Sequence, residues 1–426
     1  MADRADVPLI ARTAVGALAE RAVATASRSA AELAGCAPGV LDGTRVAVAY
    51  TSERWVRLDG QLQTAFAPLS AFFPTRDGWV RTHGTYPHHA AALRRGLTLP
   101  SDADPDAVAA ALRRCTSEEA VAAVSAAGGL CVQVTAESPP NASGPGRSEP
   151  VTVSRIGDGI ARPLPGGPVD APLRGVRVLD LTRVIAGPVA TRTLALLGAD
   201  VLRIDTPRVP EIPWQHLDTG HGKRSALLDL TVAGDRAVFE TLLGTADVVV
   251  LCYRPAALDG LGLSPAGLIA RRPGLIVARL TAWGAPDRRG FDSLVQAETG
   301  IAWLESRDGV TPGALPAQAL DHSAGYLLAA SIMTLLRRRA ADGGSWLAET
   351  SLHRMATELL ALPRRDAVES PPPLDGTGHL QTFDVDGLAL TTPAPAVAYV
   401  GGPAEFRAPR PWGQDAPAWL EARHGA

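Results

Sequence analysis

Strand-like and helix-like segments alternate through the middle of the chain, and this alternation constrains the fold more than any other feature of the sequence. Residues 176–181 (VRVLDL) are rich in β-branched and large apolar side chains, and a helical pattern at 189–197 follows after a short loop. Pro188 suits the first turn of that helix, and Gly198 suits its end. A strand at 200–204 then completes a βαβ unit with short connections.

The same alternation continues toward residue 280. Further strands are predicted at 226–230, 247–252 and 275–280, with helices at 234–243 and after Ser264-Pro265. Segment 247–252 (DVVVLC) is apolar at nearly every position, which is typical of a parallel strand buried on both faces. The sequence therefore predicts an α/β fold with a doubly wound, Rossmann-like parallel sheet domain.

The flanking regions have other patterns. Helices are predicted at 292–304 and 323–339, and strands at 45–50 and 346–352. Between residues 64 and 135, a strand at 78–81 and helices at 89–96 and from Ser117 indicate a smaller α+β domain. Stretches rich in Pro, Gly and Ser at 137–150 and 370–378 predict linkers or exposed loops.

Charge and cysteine content exclude several classes of function. The formal net charge of −3 gives no general attraction for nucleic acid or anionic membranes. Charged residues interrupt the first 21 positions, so no secretory signal is recognised, and the apolar stretch 323–336 is too short to span a bilayer. The four cysteines show no CxxC spacing, which argues against a zinc site or a disulfide framework. We therefore expect a cytoplasmic protein with reduced thiols.

Several sequence blocks carry a resemblance to a known family. They are 178–188 (VLDLTRVIAGP), 196–205 (LLGADVLRID), 221–230 (HGKRSALLDL), 246–263 (ADVVVLCYRPAALDGLGL), 290–300 (GFDSLVQAETG) and 319–332 (ALDHSAGYLLAASI). In this order they resemble the family III CoA-transferases, which include formyl-CoA and carnitine CoA-transferases and share a superfamily with α-methylacyl-CoA racemases. The resemblance implies coenzyme A, as acyl-CoA, for one substrate, a small carboxylic acid for the other, and a homodimer.

The order of domains departs from this family. Residues 68–165 resemble its smaller domain, which usually follows the sheet domain, and the tail at 409–420 resembles its usual C-terminal end. We therefore predict a rearranged order of three regions. Residues 1–165 form an N-terminal region resembling the family small domain, 171–365 form the Rossmann-like CoA-binding catalytic domain, and 366–426 form a tail that returns to either domain.

Asp321 is the candidate catalytic residue. It directly precedes a predicted helix, so the pattern alone indicates an N-cap. The resemblance implies instead that it is the nucleophilic aspartate of the family. A carboxylate suits CoA transfer because it can attack a thioester, form a mixed anhydride and then accept the CoA thiolate. The positive end of a helix favours the ionised carboxylate, and exclusion of water protects the anhydride.

Other residues are candidates for binding CoA or substrate. Val184, Ile185, Ala186 and Gly187 lead to a helix start whose backbone amides can receive a phosphate or the thioester oxygen, although such turns occur in many α/β proteins. The resemblance implies that Val184 and Ile185 lie beside the thioester. It places Lys223, the single lysine among 41 basic residues, and Arg224 near the CoA phosphates. As an ordinary charge pair these two residues would face solvent.

Two more residues belong to the predicted binding set. Arg254 follows the central strand at the carboxyl end, where α/β sheets bind ligands, and a plain surface arginine is the alternative. Asp292 is the acidic residue of the GFDSLVQ block and is grouped with the substrate-binding residues. His322 is interpreted as structural or solvent-facing. The histidines show no metal-ligand spacing, so no metal is predicted.

Other functions remain open. Racemases of the same fold place a histidine before the acidic residue of the GFDSLVQ block, where this chain has Phe291, which cannot be the second acid or base. Three alternatives are an isomerase, an enzyme of intramolecular CoA transfer and a non-catalytic acyl-CoA-binding homologue. A nicotinamide-dependent dehydrogenase is disfavoured because no GxGxxG follows the first strand of the sheet.

Overall fold

The structure is a computed structural model that describes residues 5–137, 149–285, 287–365 and 373–421. The elements that precede the large sheet are α1 (Val15–Ala34), α2 (Gly43–Tyr50), β1 (Arg57–Leu58), β2 (Gln61–Leu62), β3 (Phe72–Pro74), β4 (Trp79–Thr82), α3 (Pro87–Gly96), α4 (Pro105–Leu112), α5 (Ser117–Ala126) and β5 (Cys131–Gln133). A 3₁₀ turn at Ser52–Arg54 follows α2.

The large sheet and its helices come next. They are β6 (Thr152–Gly157), β7 (Arg177–Leu181), α6 (Ala186–Leu196), β8 (Asp200–Asp205), α7 (Pro213–Thr219), β9 (Arg224–Leu227), α8 (Ala233–Leu243), β10 (Val248–Leu251), α9 (Pro255–Gly260), α10 (Pro265–Arg271), β11 (Ile276–Thr281), α11 (Asp292–Glu298), α12 (Ile301–Leu304), α13 (Ala319–Asp342), β12 (Ser345–Ser351) and α14 (Leu352–Leu360). The chain then forms β13 (Leu380–Val385) and β14 (Leu388–Pro393).

Strand order in the large sheet is β6-β12-β11-β10-β7-β8-β9. All neighbours are parallel except β6, which pairs antiparallel with β12 at one edge. The chain runs outward from β7 to β9 on one side and from β10 to β12 on the other, so the order reverses between β7 and β10. The predicted doubly wound sheet is confirmed, and such a reversal opens a crevice at the carboxyl ends of the strands.

The parallel strands of the large sheet form close to where the apolar pattern predicts them, except that β9 begins two residues before the predicted strand at 226–230 and ends three residues before its end. All four residues of β10 are buried, as expected for a central parallel strand. The side chain of Ser264 accepts a hydrogen bond from the backbone N–H of Gly267, which caps α10 at the predicted Ser-Pro helix start. Helix α6 begins at Ala186, two residues earlier than Pro188 suggests.

Helix α13 forms the centre of the core. It packs against α1, α6 and β12, and its first twelve residues, from Ala319 to Ala330, are buried. By length and hydropathy it could cross a membrane, but 89% of its apolar window is buried inside the protein, as in a core helix. A Cβ atom on Gly325 would lie 2.6 Å from the carbonyl oxygen of Ala186, so only glycine permits this approach of α13 to α6.

Three further predicted elements are wrong in type or extent. Residues 45–50 form most of α2 instead of a strand, because Asp42 caps the segment by accepting the backbone N–H of Arg45 and all residues from Val46 to Tyr50 are buried. The predicted helix at 292–304 is divided into α11 and α12 by Gly300, whose φ is 90°. Helix α13 begins four residues before the predicted start at 323.

Smaller sheets lie beside the large one. Strands β3, β4 and β5 form an antiparallel sheet that packs with α3 and α5, which confirms the smaller α+β unit. Strands β13 and β14 pair with each other, and β14 also pairs with β1, which pairs with β2, so this sheet joins both ends of the chain. The tail reaches the large sheet, where the backbone N–H of Leu420 donates to Asp200 Oδ2 at 2.9 Å. The boundaries at 165, 171 and 366 stay predictions, and most of the linker at 137–150 and residues 370–372 of the second lie outside the described residues.

Candidate active site

A cleft of about 430 Å³ opens at the carboxyl ends of β7, β10 and β11. Its lining includes Val184, Ala186, Gly187, Arg254 and Asp321, five of the residues predicted from the sequence. A smaller cavity of about 40 Å³ lies on the other side of Asp321 and is lined by Ile185 and Asp292 among others. Val184 and Asp321 line both spaces, so the candidate nucleophile stands at their junction.

Asp321 is the third residue of α13, and only 6% of it is exposed. The prediction that it is the N-cap is therefore wrong: Gln318 occupies that position and makes no side-chain cap. Asp292 supplies the missing acceptor, since its Oδ2 receives the backbone N–H of Asp321 at 2.9 Å. The sequence places Asp292 among substrate-binding residues, and the structure shows that it also fixes the first turn of α13.

The two carboxyl groups influence each other. Burial raises the pKa of Asp292 to about 6, although hydrogen bonds from Gln296 and from the first turn of α13 oppose the shift. Burial raises the pKa of Asp321 well above its usual range, and the negative charge of Asp292 adds to this effect. Asp321 is thus a carboxyl group of increased basicity, as suits a nucleophile.

The loop between β7 and α6 is held beside Asp321. Val184 has φ of 71°, in the left-handed region that β-branched residues avoid. Such a conformation costs on the order of 1–3 kcal/mol and persists mainly at functional sites. Behind the loop, α6 begins with the backbone N–H groups of Ala186 and Gly187, which have no acceptor earlier in the helix. The strained backbone of Val184 and the N–H groups at the start of α6 therefore lie at the edge of the cleft.

A buried network around Glu211 supports this loop. Glu211 accepts hydrogen bonds from Tyr86 at 2.7 Å, Arg183 at 3.1 Å and Arg203 at 2.9 Å. Burial alone would raise the pKa of Glu211, but Arg203 and Arg183 outweigh it and hold the value at about 2. Sequence reasoning missed this network because its members are far apart along the chain and none belongs to a local motif.

The cleft is basic. Arg183, Arg254, Arg288 and Arg289 line it, and Asp321 is the single acidic residue among its described lining. Arg183 is neutralised by Glu211 and Arg288 pairs with Glu298, whereas Arg254 has no ion-pair partner among the residues that the structure describes. Burial and the charge of Arg254 lower the pKa of Arg289, which indicates two unneutralised cations close together. Such a pair suits an anionic ligand.

Comparison with known proteins identifies the segment that carries this site. The family model of CoA-transferase family III matches residues 173–377, which include Asp321, the β7–α6 loop and Arg254. This segment belongs to CoA-transferase family III.

Curated relatives match the family III segment and not the whole chain. A probable fatty acyl-CoA transferase of Mycobacterium tuberculosis, Rv3272, is 33% identical over 45% of this chain and 52% of its own length. The alpha subunit of succinyl-CoA–L-malate CoA-transferase from Chloroflexus aurantiacus is 30% identical over 46% and 50%. Formyl-CoA:oxalate CoA-transferase from Rhodopseudomonas palustris is 33% identical over 40% and 44%. The chain spans about half the length of these relatives.

Two residues predicted to contact CoA, Lys223 and Arg224, do not line the cleft. Lys223 is 3% exposed, and its Nζ donates to Asp180 Oδ2 at 3.0 Å and to the carbonyl oxygen of Pro188 at 2.9 Å. Arg224 pairs with Asp200 at 2.7 Å, at the amino ends of β8 and β9. Neither residue lines the cleft, so neither is placed to contact a phosphate there. The sequence around Lys223 does not reveal that its side chain pairs with the buried carboxylate of Asp180.

Phe291 occupies the position at which racemases of this fold place a histidine. Phe291 lines both spaces and stacks on His83, with ring centroids 3.6 Å apart and an interplanar angle of 8°. Burial, and secondarily the charge of His89, lowers the pKa of His83 to about 3, so this imidazole is neutral near pH 7.

His322 is buried under Tyr50, with 5.0 Å between the ring centroids, and does not face solvent. In the described part of the chain, no group of three or more His, Cys, Asp or Glu residues is arranged to hold a metal ion.

Proposed function

We propose that the protein is an acyl-CoA:carboxylate CoA-transferase in which Asp321 carries the acyl group and then CoA. The observation that supports this most directly is the position of Asp321, at the junction of a basic cleft and a smaller cavity. CoA, with its phosphates, would occupy the cleft, and the acyl group would occupy the cavity. Among the described residues no group donates a hydrogen bond to the Asp321 carboxylate, so its oxygens are free to react.

The reaction has four balanced steps. The Asp321 carboxylate attacks the thioester carbonyl and expels CoA thiolate, which leaves a mixed anhydride. The thiolate then attacks the aspartyl carbonyl, which releases the first carboxylate and forms an aspartyl-CoA thioester. The second carboxylate attacks this thioester and expels the thiolate again. Attack of the thiolate on the acyl carbonyl of the new anhydride yields the new acyl-CoA and restores Asp321.

The surroundings of Asp321 suit these steps. The N–H groups of Ala186 and Gly187, at the positive end of α6, are available for the negative oxygen that develops on the reacting carbonyl. Burial of Asp321 keeps water from the anhydride and the thioester. Asp292 holds the first turn of α13 in place, so we assign it a positioning role in addition to its place in the cavity lining.

We expect Arg254→Ala to weaken binding of CoA more than it slows the chemical steps. Arg254 is exposed in the cleft without an ion-pair partner among the described residues, so its charge is available to a phosphate. Loss of one such contact should raise Kd for CoA about tenfold or more, with a smaller change in kcat. Calorimetry on the variant, with Arg28→Ala on the exposed face of α1 as the matched control, measures this. Equal affinity in the wild-type protein and Arg254→Ala would remove the phosphate assignment.

We expect Asp292→Asn to shift the acid limb of the pH–rate profile to lower pH. Transfer requires ionised Asp321, and the charge of Asp292 adds to burial in raising the pKa of that carboxyl. The amide oxygen of asparagine can still accept the backbone N–H of Asp321, so kcat at about pH 8 should fall by less than about tenfold. Profiles of kcat/KM for both proteins measure the shift. A limb that stays in place or moves to higher pH would contradict electrostatic coupling of the two carboxyls.

An exchange assay tests the function without knowledge of the natural substrates. Each candidate acyl-CoA is incubated with the isotopically labelled form of its own acid, and mass spectrometry follows label entering the thioester. A CoA-transferase incorporates label without consuming thioester. Hydrolysis alone, racemisation at the α-carbon without exchange, or binding without turnover would each reject the proposal in favour of a thioesterase, a racemase or a binding homologue.

A further inference from the structure

The two spaces on either side of Asp321 have opposite charge. The cleft is lined by arginines, whereas four carboxyl groups line the small cavity and its described lining contains no arginine or lysine. These groups belong to Glu53, Asp218, Asp292 and Asp321. Asp292 and Asp321 are explained by the reaction proposed above. Glu53 and Asp218 have no role in it.

The cations near these two additional carboxyls do not belong to the described lining of the cavity. Arg54 Nε lies 3.9 Å from Glu53 and its side chain is 52% exposed, while the side chain of Glu53 is 16% exposed. Arg192 Nη1 lies 3.8 Å from Asp218 Oδ1, and both side chains are 4% exposed. Burial raises the pKa of Glu53 to about 7 although the charge of Arg54 opposes the shift, and Asp218 and Asp292 add smaller contributions in the same direction as burial.

The cavity also has unused hydrogen-bond acceptors. Gln215 is 8% exposed, and its Oε1 has no hydrogen-bond partner among the described residues. Asp218 Oδ1 also lacks a hydrogen bond there, but Arg192 Nη1 lies 3.8 Å from it. Buried polar atoms are nearly always satisfied, so Gln215 Oε1 is suited to a ligand that provides an N–H or O–H donor.

From these features we infer that the cavity selects a short acyl group that ends in a hydrogen-bond donor, a hydroxyl or ammonium group, and carries no second carboxylate. The inference rests on the proposed function, because the cavity is taken as the acyl site on account of Asp321. A second carboxylate would meet the ionised carboxylate of Glu53, whereas an N–H or O–H donor would bond to Glu53 or to Gln215. The volume of about 40 Å³ leaves room for only a few non-hydrogen atoms.

A panel of three-carbon acids tests this selectivity. The exchange assay is run at about pH 8, where Glu53 is ionised, with the CoA thioesters and labelled acids of 3-hydroxypropionate, β-alanine, propionate and malonate. We expect kcat/KM for 3-hydroxypropionyl-CoA or β-alanyl-CoA to exceed that for malonyl-CoA at least about tenfold, with propionyl-CoA between them. A preference for malonyl-CoA, or for a long fatty acyl-CoA over all four, would overturn the inference.

Glu53→Gln tests the origin of the discrimination. Removal of this charge should raise the ratio of malonyl-CoA to 3-hydroxypropionyl-CoA activity about tenfold, whereas Glu118→Gln, on the exposed face of α5, should leave the ratio unchanged. An unchanged ratio in a folded Glu53→Gln protein would overturn the assigned role of Glu53, and the wild-type panel remains decisive if the variant does not fold. Absence of exchange with every thioester, or exchange that survives Asp321→Asn, would refute the proposed function itself, whereas exchange with the opposite preference refutes only the selectivity.

Discussion

Asp321→Asn abolishes CoA exchange, with an expected fall in kcat on the order of 10⁴-fold or more. An amide is a poor nucleophile and cannot form the anhydride or the aspartyl thioester. The variant should still fold, because no hydrogen bond to the carboxylate is lost within the described residues and the repulsion from Asp292 is relieved. The exchange assay measures the loss, and thermal unfolding checks that Tm does not decrease.

A matched control variant shows whether the loss of exchange is specific to the Asp321 carboxyl. Asp106→Asn changes an exposed aspartate in the first turn of α4, another helix start, and should leave exchange unchanged. If Asp321→Asn retained activity within tenfold of the wild-type protein, the covalent role of Asp321 would have to be abandoned.

Lys223→Met should lower the free energy of unfolding by about 3–5 kcal/mol, because removal of one partner leaves the other charge of a buried ion pair uncompensated. The carboxylate of Asp180 is fully buried and also accepts hydrogen bonds from Thr191 at 2.6 Å and Thr182 at 2.5 Å. These hydrogen bonds satisfy oxygens of the Asp180 carboxylate, but they do not replace the positive charge of Lys223. Urea unfolding followed by circular dichroism measures the change in midpoint at constant m value.

The double variant Asp180→Asn/Lys223→Met provides the control. It removes both charges, so we expect it to recover most of the stability lost in Lys223→Met. A Lys223→Met protein that unfolds within about 1 kcal/mol of the wild type but binds CoA weakly would contradict the structural role and restore the hypothesis of a phosphate contact.

The sequence predicts the sheet well because its signals are local. The apolar run at β10 and the Ser-Pro start of α10 specify their structures through neighbouring residues alone. The segment at 45–50 fails for the opposite reason. Its alternating Val and Ala suggest a strand, but packing buries all of its faces, and Asp42 provides the helix cap.

The sequence predicts where the candidate site lies better than it predicts the contacts that hold its residues in place. Motif order indicates Asp321 and the loop at Val184, and the structure places them together. The cap that Asp292 gives to α13 and the enclosure of Glu53 depend on contacts between distant segments, which no local pattern encodes. Lys223 shows the same limit, since its unusual identity suggests a ligand contact, whereas in the structure its side chain pairs with Asp180 inside the protein.

Trapping of the covalent intermediate tests the central claim most directly. The protein is incubated with the acyl-CoA that exchanges fastest, hydroxylamine is added, and the proteolytic peptides are analysed by mass spectrometry. An acyl anhydride or CoA thioester on Asp321 predicts an aspartyl hydroxamate on the peptide that contains this residue, formed only when acyl-CoA is present and absent from Asp321→Asn. A hydroxamate on another residue, or none while exchange proceeds, would contradict the account.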